Sequence, residues 1–241
     1  MKYIFIINLL AFFSIDSFAG FETEKIETFQ EVVNFTLNIV NEADKESLLV
    51  VFDIDRTVLE TVDCLDPSQE FSNGFFKFEA KVRQCHGELT SPLVPDFINE
   101  LKKQKIAVMA LTARRSQILE ATLSQLEERL WVTQEGEEEA LITFETSPLY
   151  TNRKKTVKFD QPGKNKILKK ELVIKRGVAT ASGADKGLGL QAYLKRAESA
   201  GFGYNRIVFI DDDRRNIRNL EDAFSDTEEF ISIVHYTEHI K

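Results

Sequence analysis

Leu48-Leu49-Val50-Val51-Phe52-Asp53-Ile54-Asp55-Arg56-Thr57 decides the fold. Five consecutive apolar residues of strand length suit a strand covered on both faces, as in a parallel sheet. The run ends abruptly in acids. The pattern recurs at Ile106-Ala107-Val108-Met109-Ala110-Leu111, followed by Thr112-Ala113-Arg114, and at Ile207-Val208-Phe209-Ile210, followed by Asp211-Asp212-Asp213-Arg214-Arg215-Asn216. Ile231 to Val234 supplies the last strand. Between the runs, Pro95 to Gln104, Arg115 to about Leu130, Lys186 to Ala200 and Asn216 to Phe224 read as helices, and Ile26, Phe29, Val32, Val33, Leu37 and Val40 predict an amphipathic helix over Thr23 to about Ala43. Strands alternating with helices predict an α/β fold, a Rossmann-like core whose central parallel sheet is flanked by helices.

Two stretches break the alternation. Val58 to Pro92 holds Cys64, Cys85 and the aromatic cluster Phe75-Phe76-Lys77-Phe78. Trp131 to Gly183 is acidic first (Glu135, Glu137, Glu138, Glu139) and then basic, from Arg153 through Lys164 and Lys166 to Arg176. Residues 156–159 and 171–174 read as short strands around Gln161-Pro162-Gly163, and a small β-rich cap is expected there. The basic run is a solvated hairpin face or an anion-attracting rim beside the site. The third core strand falls within Leu141 to Phe144 or at Val178 to Ala181.

The chain has 241 residues, with 31 Lys+Arg against 39 Asp+Glu and a formal charge of −8. That length suits one good core with insertions. The acidic balance argues against a dedicated duplex binder, so no nucleic-acid partner is expected. Two cysteines are too few for a disulfide framework. Lys2, the apolar run Tyr3 to Phe13 and the small residues Ser17 and Ala19 fit a signal peptide over 1–19, cut after Ala19. The run falls short of the roughly 20 apolar residues of a membrane span. The expected product is therefore a periplasmic or secreted domain over 20–241, with insertions at about 58–92 and 131–183 and no stable membrane anchor. After export Cys64 and Cys85 either pair or remain core thiols.

In an open parallel sheet, ligands bind beyond the carboxyl ends of the strands. There the sequence brings Asp53 and Asp55, Thr112, the Asp211–Asp213 acids, and Lys186 at a helix start in Ser182-Gly183-Ala184-Asp185-Lys186-Gly187. That collection suits phosphoryl transfer. A phosphate monoester is a dianion and repels a bare carboxylate; Mg²⁺ held by carboxylates removes the repulsion. One carboxylate then serves as nucleophile, a second as general acid and base, and a hydroxyl and an ammonium bind the equatorial oxygens. His235 and His239 have helical i, i+4 spacing but no third ligand motif beside them, and are read as ordinary residues.

Asp53-x-Asp55-x-Thr57 after one strand, Thr112 after the next, Lys186, and Asp211-Asp212 after a later strand resemble the haloacid-dehalogenase-like (HAD) hydrolase superfamily over roughly residues 45 to 235. The Ser182-Gly183-x-x-Lys186-Gly187 segment and the two insertions look most like an exported HAD-like group of intracellular bacteria whose function is unassigned. The resemblance implies that Asp53 is the nucleophile, Asp55 the general acid/base, and Thr112 and Lys186 the phosphate-binding groups. It implies Mg²⁺ held by Asp53, the Asp55 backbone carbonyl and an acid of the triple: Asp212 is the first match, Asp211 the next, and Asp213 adjoins them. Asn216 stands where many members carry an acid. Asp55 separates the chain from dehalogenases, phosphonate-cleaving members and P-type pumps, which usually lack that second acid. The implied activity is hydrolysis of a phosphorylated small molecule or phosphoprotein through an aspartyl-phosphate. The alternatives are a catalytically silent HAD-like binding or effector module, or a phosphotransferase or phosphomutase sharing the first half-reaction.

Overall fold

The computed structural model describes residues 20–127, 130–131 (backbone only) and 142–238. Residues 1–19, where a signal peptide is expected, the acidic run Glu135–Glu139, Leu141 and His239 lie outside the described residues.

The buried run after Ser47 forms β2 (Leu48–Phe52), at the centre of an eight-stranded sheet. β10 (Arg206–Asp211) and β5 (Ala107–Thr112) flank it, both parallel to it. Outward from β10 lie β11 (Phe230–Tyr236) and β1 (Gly20–Ile26); outward from β5 lies β9 (Val178–Thr180), again parallel. The third core strand is thus Val178–Thr180. Antiparallel β8 (Ile167–Lys175) and β7 (Lys155–Pro162) complete the order β1-β11-β10-β2-β5-β9-β8-β7. The fold is mixed α/β, with a large, mostly parallel central sheet between helical layers.

The period of two along β2 divides the core. Leu48, Val50 and Phe52 face α1 (Phe29–Glu42), α3 (Leu93–Lys103) and α4 (Leu119–Glu127). Leu49 and Val51 face α5 (Lys186–Glu198) and α6 (Arg214–Phe224). With both faces covered, no residue of β2 alternates towards water, which is why the strand reads as an unbroken apolar run. No helix among the described residues is long and apolar enough to cross a membrane.

Two expectations need correction. The helix predicted from Thr23 begins at Phe29. Thr28 caps it with a reciprocal box, its Oγ1 accepting from the Glu31 amide at 3.3 Å while Glu31 accepts from the Thr28 amide at 3.0 Å. Residues 20–26 instead pair in parallel with β11 as an edge strand, mostly exposed, so their pattern carries no strand periodicity. The basic hairpin β7–β8 does not form a separate cap: Val173 to Lys175 pair with β9 and extend the main sheet. Beyond that pairing the hairpin runs on past the end of β9, and the Asp185 amide donates to Gln161 Oε1 at 3.1 Å. Its turn, with exposed Lys164 and Lys166, therefore lies on the side of the strands' carboxyl ends. Elsewhere part of the basic run is paired, Lys169 with Asp160, and Lys154 and Lys175 with Glu120.

The first insertion supplies β3 (Leu59–Thr61), β4 (Gly87–Leu89) and helix α2 (Gly74–Gln84), and β6 (Leu130–Trp131), from beyond α4, pairs with β4 to complete a second, three-stranded sheet. Cys64 and Cys85 are disulfide-bonded and close the segment containing α2.

Candidate active site

The site forms where β2, β5, β9 and β10 end. After Phe52 the chain stays tied to β10, the Asp53 amide donating to the Ile210 carbonyl at 2.8 Å, and then turns tightly. The Ile54 carbonyl accepts from Val58 at 2.9 Å and from Leu59 at 3.0 Å, with Arg56 in the left-handed region at φ 62°. The loops after β5 and β9 are stitched together: the Ser182 and Gly183 amides donate to the carbonyls of Arg114 and Ala113, at 3.1 and 2.9 Å. Gly183 takes φ +70°, a value a side chain resists. Asp185 then caps α5 through the Leu188 amide at 3.0 Å, which sets Lys186 on the first turn.

Lys186 is completely out of water, and its Nζ lies 2.7 Å from Asp53 Oδ1 and 2.7 Å from Asp211 Oδ2. Asp211 is held further by Asn216 Nδ2, 3.1 Å from each carboxylate oxygen, and by the Asp213 amide at 2.8 Å. The acid that ends β10 and the two that follow it therefore divide their work. Asp213 caps α6, accepting from the Arg215 amide at 2.7 Å. Asp211 is buried and accepts from Lys186, Asn216 and the Asp213 amide. Asp212 is half-buried beside it, and Asp53, Asp211 and Asp212 bring carboxylate oxygens within 4.8 Å of one another. His235 meets the Asp212 carbonyl through Nε2 at 3.1 Å.

Burial dominates the electrostatics. It raises the Asp53 carboxyl well above its ordinary range, opposed by the Lys186 charge and reinforced by Asp211 and Asp55. Burial would lower the Lys186 ammonium, but Asp211 and Asp53 outweigh it and keep the lysine protonated beyond the usual lysine range. Asp212 is pushed up to about 7, by burial first and then by the Asp211 charge. Three carboxylates set against one ammonium leave a surplus of two negative charges when all are ionised. A hard divalent cation with oxygen ligands fits that donor set and that charge.

Asp55 and Thr112 find their hydrogen-bond partners outside the cluster. The Asp55 carboxylate turns to Arg114. Thr112 ends β5, fully buried, two residues beyond Ala110, the partner of Phe52; its hydroxyl accepts from the Arg114 amide at 3.2 Å. Sequence reasoning missed Arg114, whose partner lies 59 positions away, and assigned no role to Asn216. The five-residue step from Asp211 to Asn216, one helical turn past the cap, is the signal that would have found the latter. A groove of about 710 Å³ between α1 and α3, lined among others by Val33, Leu37, Leu93 and Phe97, contains none of these acids.

A family model described as "Protein of unknown function (DUF2608)" matches residues 68–241, so Asp53 and Asp55 precede the matched span. No curated relative matches the chain. Among solved structures, the class C acid phosphatase from Bacillus anthracis is similar at 16% identity and a TM-score of 0.31, over 44% of this chain and 50% of that one. The same phosphatase with tungstate bound gives 17% identity and a TM-score of 0.30, over 46% and 50%. The chain thus spans about half the length of that phosphatase.

Proposed function

We propose that this chain, which belongs to the family of unknown function DUF2608, is an exported Mg²⁺-dependent phosphomonoesterase of the HAD-like type, with residues 1–19 as its removed leader. The observation that carries the reading is the convergence of Asp53, Lys186, Asp211 and Asp212 at one end of a parallel sheet. The disulfide between Cys64 and Cys85 supports export, since such bonds persist in oxidising compartments.

Asp53, Asp211 and Asp212, with the Asp55 backbone carbonyl, are the groups that would hold Mg²⁺; when bound, the ion offsets the charge of the phosphate dianion. The Asp53 carboxylate attacks phosphorus, the bond to the leaving oxygen breaks, and that oxygen takes a proton from Asp55. Asp55 then takes a proton from water as the water attacks phosphorus, which releases phosphate and restores Asp53. Lys186 and Thr112 bind the equatorial oxygens, where transition-state charge resides. Lys186 also opposes the tendency of burial to protonate the nucleophile. The substrate is a phosphorylated small molecule or phosphoprotein, and the basic hairpin turn at Lys164 and Lys166 draws such anions to the rim.

The test is phosphate release from p-nitrophenyl phosphate and a panel of monoesters with Mg²⁺. Wild type should turn over and Asp53→Asn should not. An Asp53→Asn protein as active as wild type would remove the assigned nucleophile.

A further inference from the structure

Arg114, next to the site, has partners for all three guanidinium nitrogens. Its Nε donates to Asp55 Oδ1 at 3.2 Å and Oδ2 at 3.0 Å, and its Nη2 donates to Oδ1 at 2.7 Å. The rest of the fork is occupied as well. Nη2 reaches Thr61 Oγ1 at 3.0 Å on β3, and Nη1 reaches Thr122 Oγ1 at 3.2 Å and Gln125 Oε1 at 2.9 Å on α4. The arginine side chain has no exposure, whereas that of Asp55 keeps 30%. Behind Arg114 the network continues into the first insertion. Gln125 Nε2 donates to the Cys85 carbonyl at 3.1 Å, Cys85 is bonded to Cys64, and the Phe78 ring within the closed segment lies 5.7 Å from Arg114 Cζ.

Stability alone is a weak reason for this arrangement, because a buried ion pair often breaks even against apolar residues of the same volume. Position is a better one. Asp55 sits on a tight turn after β2 with a partly exposed carboxyl, free to rotate unless something fixes it. A planar fork fixes both oxygens in one plane, which a point charge such as lysine does not do. A misplacement of about 1 Å costs a reacting group roughly a hundredfold.

We propose that Arg114 is a positioning residue for Asp55, braced through Gln125 by the disulfide-closed segment 64–85, so that the first insertion governs proton transfer at the site. The inference rests on the phosphatase reading above. Because proton donation matters most for a poor leaving group, the readout is a ratio of substrates. Arg114→Lys and Gln125→Met, with wild type before and after reduction by dithiothreitol, are assayed on glycerol 2-phosphate and on p-nitrophenyl phosphate. In Arg114→Lys, the rate of alcohol release in the first turnover of glycerol 2-phosphate, before the water step common to both esters, should fall about a hundredfold. The first-turnover release of p-nitrophenol should fall less than about threefold, since the activated leaving group departs without the proton. Gln125→Met and reduced wild type should show the same selective loss at smaller size, and Asp55→Asn should reproduce it in full.

Equal losses on the two esters, or a lowered melting temperature with an unchanged ratio, would overturn the positioning role while leaving the phosphatase reading in place. A wild type that hydrolyses neither ester overturns both. Should Arg114→Lys fail to fold, Gln125→Met and reduced wild type decide the matter, and an unchanged ratio in both counts against the inference.

Discussion

The Lys186 ammonium lies 2.7 Å from the Asp53 carboxylate, and the two groups are almost entirely removed from water. The end of β2 and the start of α5 have to be placed together for that contact to exist. Each partner needs the other, since an unpaired buried charge costs several kcal/mol.

Replacing Lys186 by methionine keeps the volume and strands Asp53 and Asp211 without their shared counter-charge. The expected loss is about 3–5 kcal/mol at neutral pH. It should shrink on acidification, as the two carboxyls can then be protonated. Urea unfolding at pH 7 and pH 5 measures it, and a loss equal at both values would mean that the lysine does not act through its charge.

Asp212 titrates at about 7, raised by burial and by Asp211, and Asp53 is displaced in the same direction. A carboxylate has to be ionised to hold a hard cation. Mg²⁺ affinity should therefore climb as pH rises through 7, by about tenfold per unit for each proton released, and level off once both carboxyls are ionised. Without the ion the sign for stability is opposite. A carboxyl raised in the folded state favours folding at low pH and loses that contribution as pH rises through its folded value. The ion-free melting temperature should fall between pH 5 and 8, and Mg²⁺ should restore most of the loss at pH 8. Calorimetric titration and thermal unfolding across that range provide the check; an affinity independent of pH would place the ion elsewhere.

The sheet's centre was legible because its strands are buried on both faces, and because the acids stand where such strands stop. Leu48 to Phe52 and Ile207 to Ile210 announce themselves by composition, and the residues after them follow by chemistry. β1 was hidden because Gly20–Ile26 is an exposed edge strand whose last apolar residue, Ile26, blends into the helical spacing of Phe29 and Val32; the Thr28–Glu31 box was the available clue. The hairpin's place in the main sheet was hidden too. It depends on Gly177, at φ +77°, turning β8 back onto β9, where a Cβ would meet the Phe144 carbonyl at 2.4 Å. The grip of Arg114 on Asp55 left no local trace, because the two are joined only by the fold.

Gly187, next to the site lysine, is fixed by a close approach rather than by its backbone angle. A Cβ there would stand 2.2 Å from the Asn219 carbonyl oxygen and 2.7 Å from Ala223 Cβ on α6. Gly187→Ala should push α5 from α6, destabilise by about 1–3 kcal/mol and lower activity by moving Lys186. Urea unfolding and a steady-state assay of the same variant test this. A variant as stable and active as wild type would mean that the helices yield without cost.

Covalent capture shows whether Asp53 carries the phosphoryl group during turnover. Protein turning over a monoester with Mg²⁺ is quenched in acid and treated with borohydride, which reduces an acyl phosphate to the alcohol, and the peptides are mapped by mass. Homoserine is expected at position 53, dependent on substrate and missing in Asp53→Asn. Phosphate release with an unmodified Asp53, or with the mark on another residue, would contradict it.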